Sequence, residues 1–256
     1  MRILVTNDDG VDSPGLVRLA ATLAEDGHDV SVVAPLEDRS GWGAALGPFH
    51  RNEEVVYQEV QLPGFVGPAY GVDGPPALAV MLARLGGFGP PPDLVVSGVN
   101  PGNNTGRSVL HSGTVGAALT AANYGVSGLA VSLASGEPLH WETACQIAAL
   151  AVTWLLAAPG GTVLNLNLPN LPLTRLAGVR PARLAPFGTV RAAIAGDGGG
   201  RLQVEMRDSS VELSPDTDTA LIRAGMATVT ALGTIRSTGG VDAADWLDQR
   251  VETRLS

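Results

Sequence analysis

A doubly wound α/β fold with a mostly parallel sheet, followed by a smaller antiparallel C-terminal extension, is what this sequence predicts. Three observations carry that expectation. Short apolar runs at Ile3-Leu4-Val5 and at residues 30–34 have the pattern of strands buried on both faces of a parallel sheet, and further strands are expected at 94–97, 129–132 and 163–168. Helical stretches alternate with those runs, which is how βαβ units are built. After Pro169 the texture changes to Pro and Gly punctuation between alternating segments.

Taken in order, Ile3-Leu4-Val5 is the first strand, and it ends in Asn7-Asp8-Asp9-Gly10. Residues 14–24 follow as an amphipathic helix with Leu16, Leu19, Ala20 and Leu23 on one face, Pro14 suiting its first turn and Gly27 its end. The strand at 30–34 completes a βαβ opening. A strand at 55–60 and a helix at 76–85 precede the turn at 86–92. The strand at 94–97, the helix at 114–122 and the strand at 129–132 continue the alternation, and a helix at 142–156 leads to the strand at 163–168. Residues 1–168 thus form the core. Residues 169–256 form a β-rich extension of the same unit, with antiparallel strands near 179–184, 190–193 and 202–206 outside the main sheet. The tract Gly196–Gly200 lacks the strand-to-helix setting of a phosphate cradle, so it reads as a loop or hairpin tip.

The 256 residues, 45% hydrophobic and 16% charged, supply a large core and argue against disorder. A formal charge of -9 with a pI near 4.8 opposes binding along a nucleic-acid backbone. All 16 basic side chains are Arg, with no basic stripe among them. Cys145, the single cysteine, excludes an intrachain disulfide and a cysteine zinc site. No apolar run has the length of a membrane span and the N-terminus lacks a signal peptide, so the expected protein is cytoplasmic.

In open α/β sheets ligands bind beyond the carboxyl ends of the strands, which directs attention to Asp8 and Asp9. An Asp-Asp-Gly sequence alone reads as a turn or a helix cap. Two adjacent carboxylates at a strand end also repel, and a hard cation with oxygen ligands offsets that charge. The turn has neither G-x-G-x-x-G nor G-x-x-x-x-G-K-[ST] spacing, so dinucleotide and nucleoside triphosphate modes are unsupported. Two further stretches supply context. Glu37-Asp38-Arg39-Ser40-Gly41-Trp42-Gly43 follows the second strand and reads either as a surface loop or as a wall of the same pocket. Residues 97–114 are dense in Gly, Asn, Ser and Thr and open a helix, whose N-terminal N–H groups favour an anion; Ser112 or Thr114 as a plain helix cap is the competing reading. His111 is either a structural histidine or the leaving-group acid.

These residues resemble the SurE survival-protein family of metal-dependent 5'- and 3'-nucleotidases. The resemblance runs through residues 3–10, Val32-Val33-Ala34-Pro35 with Arg39-Ser40-Gly41, Pro92 to Asn100, Ser112 to Ala118, Leu164-Asn165-Leu166-Asn167-Leu168-Pro169 and Thr217-Asp218-Thr219-Ala220. It implies a Rossmann-like core, an extension used in homodimer or homotetramer assembly, and one Mg2+ or Mn2+ ion per subunit. Carried over residue by residue, it implies Asp8, Asp9, Ser40 and Asn100 as metal ligands, with Asn104, Ser112, Gly113 and Thr114 lining the phosphate pocket. Where the family has Gly-Thr-Pro-Ala-Asp-Cys, this chain has Gly74-Pro75-Pro76-Ala77-Leu78-Ala79, losing a hydroxyl and a carboxylate; Ser108 stands where Asp is often found.

The expected function is therefore divalent-metal-dependent hydrolysis of nucleoside monophosphates, with Asp8 and Asp9 as catalytic residues and Asp9 orienting or deprotonating the attacking water. A broad-specificity or polyphosphate phosphatase is the rival within the class. A nucleotide sensor that keeps the fold and the metal without turnover is the rival outside it.

Overall fold

The computed structural model describes residues 1–47, 54–186, 190–198, 201–208, 212–235 and 237. Its elements run β1 (Arg2–Thr6), α1 (Pro14–Glu25), β2 (Asp29–Pro35), β3 (Tyr57–Glu59), β4 (Ala69–Val72), α2 (Pro76–Arg84), β5 (Leu94–Asn100), α3 (Gly113–Asn123), β6 (Ser127–Leu133), α4 (Trp141–Leu155), β7 (Val163–Leu168), β8 (Val179–Pro181), β9 (Val190–Gly198), β10 (Arg201–Asp208), α5 (Asp218–Arg223) and β11 (Ala227–Leu232). A 3-10 turn, Gly106–His111, leads into α3.

Nine strands form one sheet in the order β3-β4-β2-β1-β5-β6-β7-β11-β8, parallel from β4 to β7. The exceptions are β3, antiparallel to β4, and β11, antiparallel to β7. The α/β architecture is the expected one. Successive residues of a strand face opposite sides, so Ile3 and Val5 of β1 pack beneath α1 and α4, while Leu4 packs beneath α2 and α3. The helices end where the sequence punctuates them, as at Gly27, whose φ of +85° stops α1 in a left-handed turn.

The sheet departs from the sequence reading at both edges. Residues 55–60 shorten to the three-residue edge strand β3, and β4 and β11 were not anticipated. Residues 179–184 were expected outside the main sheet in an antiparallel arrangement. Instead Val179–Pro181 runs parallel to β11 at the sheet's far edge, where Pro181 lies at the strand's end and its missing N–H does no harm. Sheet pairing thus crosses the boundary placed after Leu168. Only β9 and β10 stand apart as an antiparallel ribbon, with Gly196 and Gly198 near its tip; Gly199 and Gly200 lie outside the described residues, as does the end of the extension from 238 onward. No helix among the described residues is long and apolar enough to cross a membrane.

The chain winds outward from β1 in both directions, through β2 and β4 on one side and β5, β6 and β7 on the other. Loops leaving β1 and β5 consequently diverge, opening a crevice at the carboxyl ends of these strands.

Candidate active site

Beyond Thr6 the chain is turned back by Asn7, which is fully buried. Its Nδ2 donates to the Gly10 carbonyl at 2.9 Å and to Ser13 Oγ at 2.6 Å. Gly10 adopts a φ of +114°, and Val11 N–H donates to the Pro35 carbonyl at 2.8 Å, tying the turn to the end of β2. A rigid turn at the strand end is the result.

Asp8 is 3% exposed and faces the start of α3. Its Oδ1 accepts the Thr114 hydroxyl at 2.6 Å, and its Oδ2 accepts Gly113 N–H at 3.1 Å. Burial raises the Asp8 pKa above the ordinary carboxylate value, and the bonds from Thr114 and Gly113, with the positive end of the helix, oppose that rise. Gly113 is required by this approach: a Cβ there would lie 2.7 Å from both Cβ and Oδ2 of Asp8.

Asp9 is in a different condition. It is half-buried, and its Oδ2 is shielded from solvent without a protein hydrogen-bond partner. Burial, then the neighbouring charges of Asp8 and Asp38, push its carboxyl up to about 7. Asp38 is shifted the other way, because the Ser40 side chain and backbone both hydrogen-bond to it, the backbone N–H at 2.7 Å.

Ser40 belongs to loop 36–47, which is fixed against the site twice. Arg39 N–H donates to the Asp8 carbonyl at 2.7 Å. At the loop's other end Gly43 lies so close to α3 that a Cβ on Gly116 would meet the Gly43 carbonyl at 2.4 Å. Asn100 closes β5, and its Nδ2 donates to the Gly102 carbonyl at 2.6 Å. Strand register sets Asn100 beside Ser132 of β6, and Ser132 beside Asn167 of β7. This polar row holds the Asn-rich loop. Asn104 Nδ2 donates to Ser132 Oγ at 2.9 Å, Asn104 N–H donates to Asn167 Oδ1 at 2.8 Å, and the Asn104 carbonyl accepts both Asn165 Nδ2 and Asn167 Nδ2. Just beyond, Gly106 N–H donates at 2.8 Å to Asp218 Oδ2, whose carboxylate also accepts the Ala185 and Thr219 N–H groups.

Of the residues singled out from sequence, Asp8, Gly113 and Thr114 are in direct contact. Ser40 and Asn100 stand on loops at the flanking strand ends, bonded within those loops. Ser112 caps α3 by accepting Val115 N–H at 3.1 Å, so its hydroxyl serves the helix. His111 is exposed at the end of the 3-10 turn. The N–H groups that begin α3 are engaged by Asp8 and Ser112, which corrects the picture of a helix end with free donors: the anion it holds is Asp8 itself. Sequence reasoning gave no site role to Asn7, Asp38, Asn165, Asn167 or Asp218. The available signal was two asparagines alternating with leucines in a buried strand, where polar side chains need partners.

Fold and site together define an α/β protein with an acidic pair at the carboxyl end of its first strand, held by a helix start and by loop 36–47, with an Asn-rich loop leaving the neighbouring strand β5. Residues 3–192 match the family model of the survival protein SurE, and the chain belongs to that family. It is 38% identical over 234 residues to the 5'-nucleotidase SurE of Desulfitobacterium hafniense (strain DSM 10664 / DCB-2), covering 91% of this chain and 90% of that protein. To the 5'-nucleotidase SurE of Nitrosococcus oceani it is 39% identical over 237 residues, covering 91% of each. The crystal structure of the SurE protein from Aquifex aeolicus superposes with a TM-score of 0.78 at 29% identity, covering 93% of this chain and 95% of that one.

Proposed function

We propose that the protein is a 5'-nucleotidase that hydrolyses nucleoside monophosphates to nucleoside and phosphate with the help of one divalent cation. The observation that carries this reading is the Asp8-Asp9 pair: two adjacent, largely buried carboxylates, one of them with a shielded oxygen that no protein donor satisfies and a pKa displaced to about 7. That arrangement fits a hard cation, because only oxygen atoms are presented and the unfavourable charge is what a divalent ion removes. Asp8, Asp9, Ser40 and Asn100 would hold it, as Mg2+ or Mn2+. When bound, the ion supplies positive charge and Lewis acidity toward a phosphate oxygen.

The chain's own residues account for the remaining steps. Asp9 orients the attacking water and takes its proton as the bond from phosphorus to the 5'-oxygen breaks; the departing oxygen takes up a proton from solvent, to which Asp9 returns its own. Thr114 and Gly113 fix Asp8 by hydrogen bonds to both of its carboxylate oxygens. Asn104 keeps a second Nδ2 hydrogen beyond the one given to Ser132, available to a phosphate oxygen. Parentage among enzymes named 5'-nucleotidase SurE supports the 5' position; hydrolysis of 3'-nucleotides is an extension of the same reading. The protein is assigned to the cytoplasm as a homodimer or homotetramer. An apolar hollow of 320 Å³ lined by Ile147, Leu150, Trp154, Val179 and Val229 supports self-association.

The test is phosphate release from AMP with Mn2+, with EDTA, and in the Asp9→Asn protein. Release that requires the metal and is abolished by the substitution is the expected result. Undiminished release under EDTA and in Asp9→Asn would overturn the assignment.

A further inference from the structure

Arg39, whose N–H is bonded to the Asp8 carbonyl, lines a 380 Å³ pocket walled by loop 36–47 and by the turn that follows β4. Its lining includes Arg39, Trp42, Leu46, Asp73, Pro75 and Leu78, and its size suits a small ligand. We propose that this pocket is the subsite for the nucleoside half of the substrate, with the aromatic base stacked against the Trp42 and Arg39 pair. The inference rests on the nucleotidase reading and adds the place and chemistry by which the nucleoside is held.

Position is the first argument. The pocket sits at the carboxyl ends of β2 and β4, the strands that continue the sheet directly from β1. Arg39 and Trp42 share a loop with Ser40, and Arg39 N–H is bonded to the Asp8 carbonyl. The pocket and the acidic pair are therefore joined through Arg39 and share loop 36–47.

The second argument is the chemistry of the walls. The Trp42 side chain is 43% exposed, and the Arg39 guanidinium carbon lies 5.3 Å from its ring centroid. An indole beside a planar guanidinium offers π surface to which a base adds. Arg39 is held in that place by an ion pair of 2.9 Å with Asp73, and its Nε has no protein acceptor. Pro75 and Leu78, two of the positions that depart from the family pattern, both line this pocket and give it an apolar side, leaving Arg39, Asp73 and Glu54 as its charged groups. With Arg39 and Asp73 engaged with each other, a base is held chiefly by its faces, so the pocket takes adenine, guanine and pyrimidines with preference following ring area.

Charge supplies the third argument. Arg39 is opposed by Asp73 and Glu54 in the lining. A pocket with more carboxylates than cations accepts a neutral nucleoside and repels the tail of a polyphosphate, which separates the nucleotidase from its nearest rival.

The experiment uses the full chain with Mn2+ and compares wild type with Trp42→Ala, Trp42→Leu and Trp42→Phe. Two quantities are read: the ratio of kcat/KM for AMP to that for ribose 5-phosphate, and the affinity for adenosine by calorimetry. Loss of one stacked base corresponds to roughly a tenfold effect. Both quantities are expected to fall about tenfold in Trp42→Ala and in Trp42→Leu, which keeps apolar bulk without a π face, and to recover in Trp42→Phe. A ratio and an adenosine affinity indifferent to Trp42 would overturn the subsite while AMP hydrolysis left the nucleotidase reading in place. Absence of AMP hydrolysis by wild type, with adenosine binding still ordered Trp, Phe, then Leu and Ala, would remove the enzyme and keep the subsite. If Trp42→Ala does not fold, Trp42→Leu and Trp42→Phe give the same comparison.

Discussion

Replacing Thr114 with valine keeps the shape of the side chain and removes one hydroxyl. That hydroxyl is donated at 2.6 Å to Asp8 Oδ1, and both residues are buried. Because the exchange is nearly isosteric, no cavity opens; the loss is that of a hydrogen bond to a carboxylate, roughly 1.5–3 kcal/mol. For a protein of this size each kcal/mol moves Tm by about 2–4 °C, so Thr114→Val is expected to melt about 3–12 °C below wild type. Thr114→Ser keeps the hydroxyl and gives up a methyl, for which about 1 kcal/mol is the ceiling; it melts between the two. The same hydroxyl orients a proposed metal ligand, and disturbing such a partner lowers metal affinity about 10–100-fold. Differential scanning calorimetry of the metal-free protein reads the first effect and a Mn2+ titration the second. The reasoning is refuted if Thr114→Val melts and binds Mn2+ like wild type, or if Thr114→Ser falls as far as Thr114→Val, since volume and not the hydroxyl would then be responsible.

Three further outcomes follow from the same geometry. Gly113→Ala removes no polar group, yet its Cβ would press on Asp8 at 2.7 Å; a loss of about 1–3 kcal/mol in denaturant unfolding and weakened Mn2+ binding are expected, and wild-type behaviour in both would show that the helix start yields freely. In Asp218→Asn one carboxylate oxygen becomes an NH2 group facing a backbone donor, either at Gly106 or at Ala185, so a loss of about 1–3 kcal/mol and a raised KM for AMP are expected, measured by melting and steady-state kinetics. The Asp9 carboxyl, raised to about 7, keeps a proton in the folded metal-free protein that the unfolded chain releases at lower pH, so this group's contribution to stability falls as pH rises toward 7. A cation that replaces the proton therefore raises Tm more at about pH 8 than at about pH 5, and an equal shift at both would contradict the electrostatic account.

The parts of the fold that were legible in the sequence are those where burial is complete on both faces. Residues 3–5 and 30–34 show as apolar runs for that reason, 163–168 shows as leucines alternating with two asparagines, and the helices between them fall within a residue or two of their expected ends. What escaped is structure whose burial is hidden by its composition. β4 contains Gly71, over which the Leu36 side chain packs so that a Cβ there would meet its Cδ2 at 2.3 Å, and that glycine breaks the look of a strand. β11 alternates Thr228 and Thr230 with apolar residues as a half-exposed strand would, yet both threonines are buried. Within the site, Asp8 and Asp9 announce themselves by adjacency. The contact of Asp8 with Thr114 spans 106 residues of sequence, and the repulsion from Asp38 depends on the path of loop 36–47; neither follows from spacing.

The place of β11 between β7 and β8 has a consequence for how the molecule comes into being. A nascent chain has finished β1 through β8 well before Ala227 leaves the ribosome, but β8 has no neighbour in the sheet until β11 slots in beside β7. Until then the β7 margin is an unpaired strand edge, open to other chains and to chaperones. Final closure of the sheet, and with it the setting of Asn165 and Asn167 beneath the Asn104 loop, is deferred until residues 227–232 have been synthesised. Trimming the gene back to residue 168 would for the same reason yield an adhesive fragment rather than a minimal enzyme.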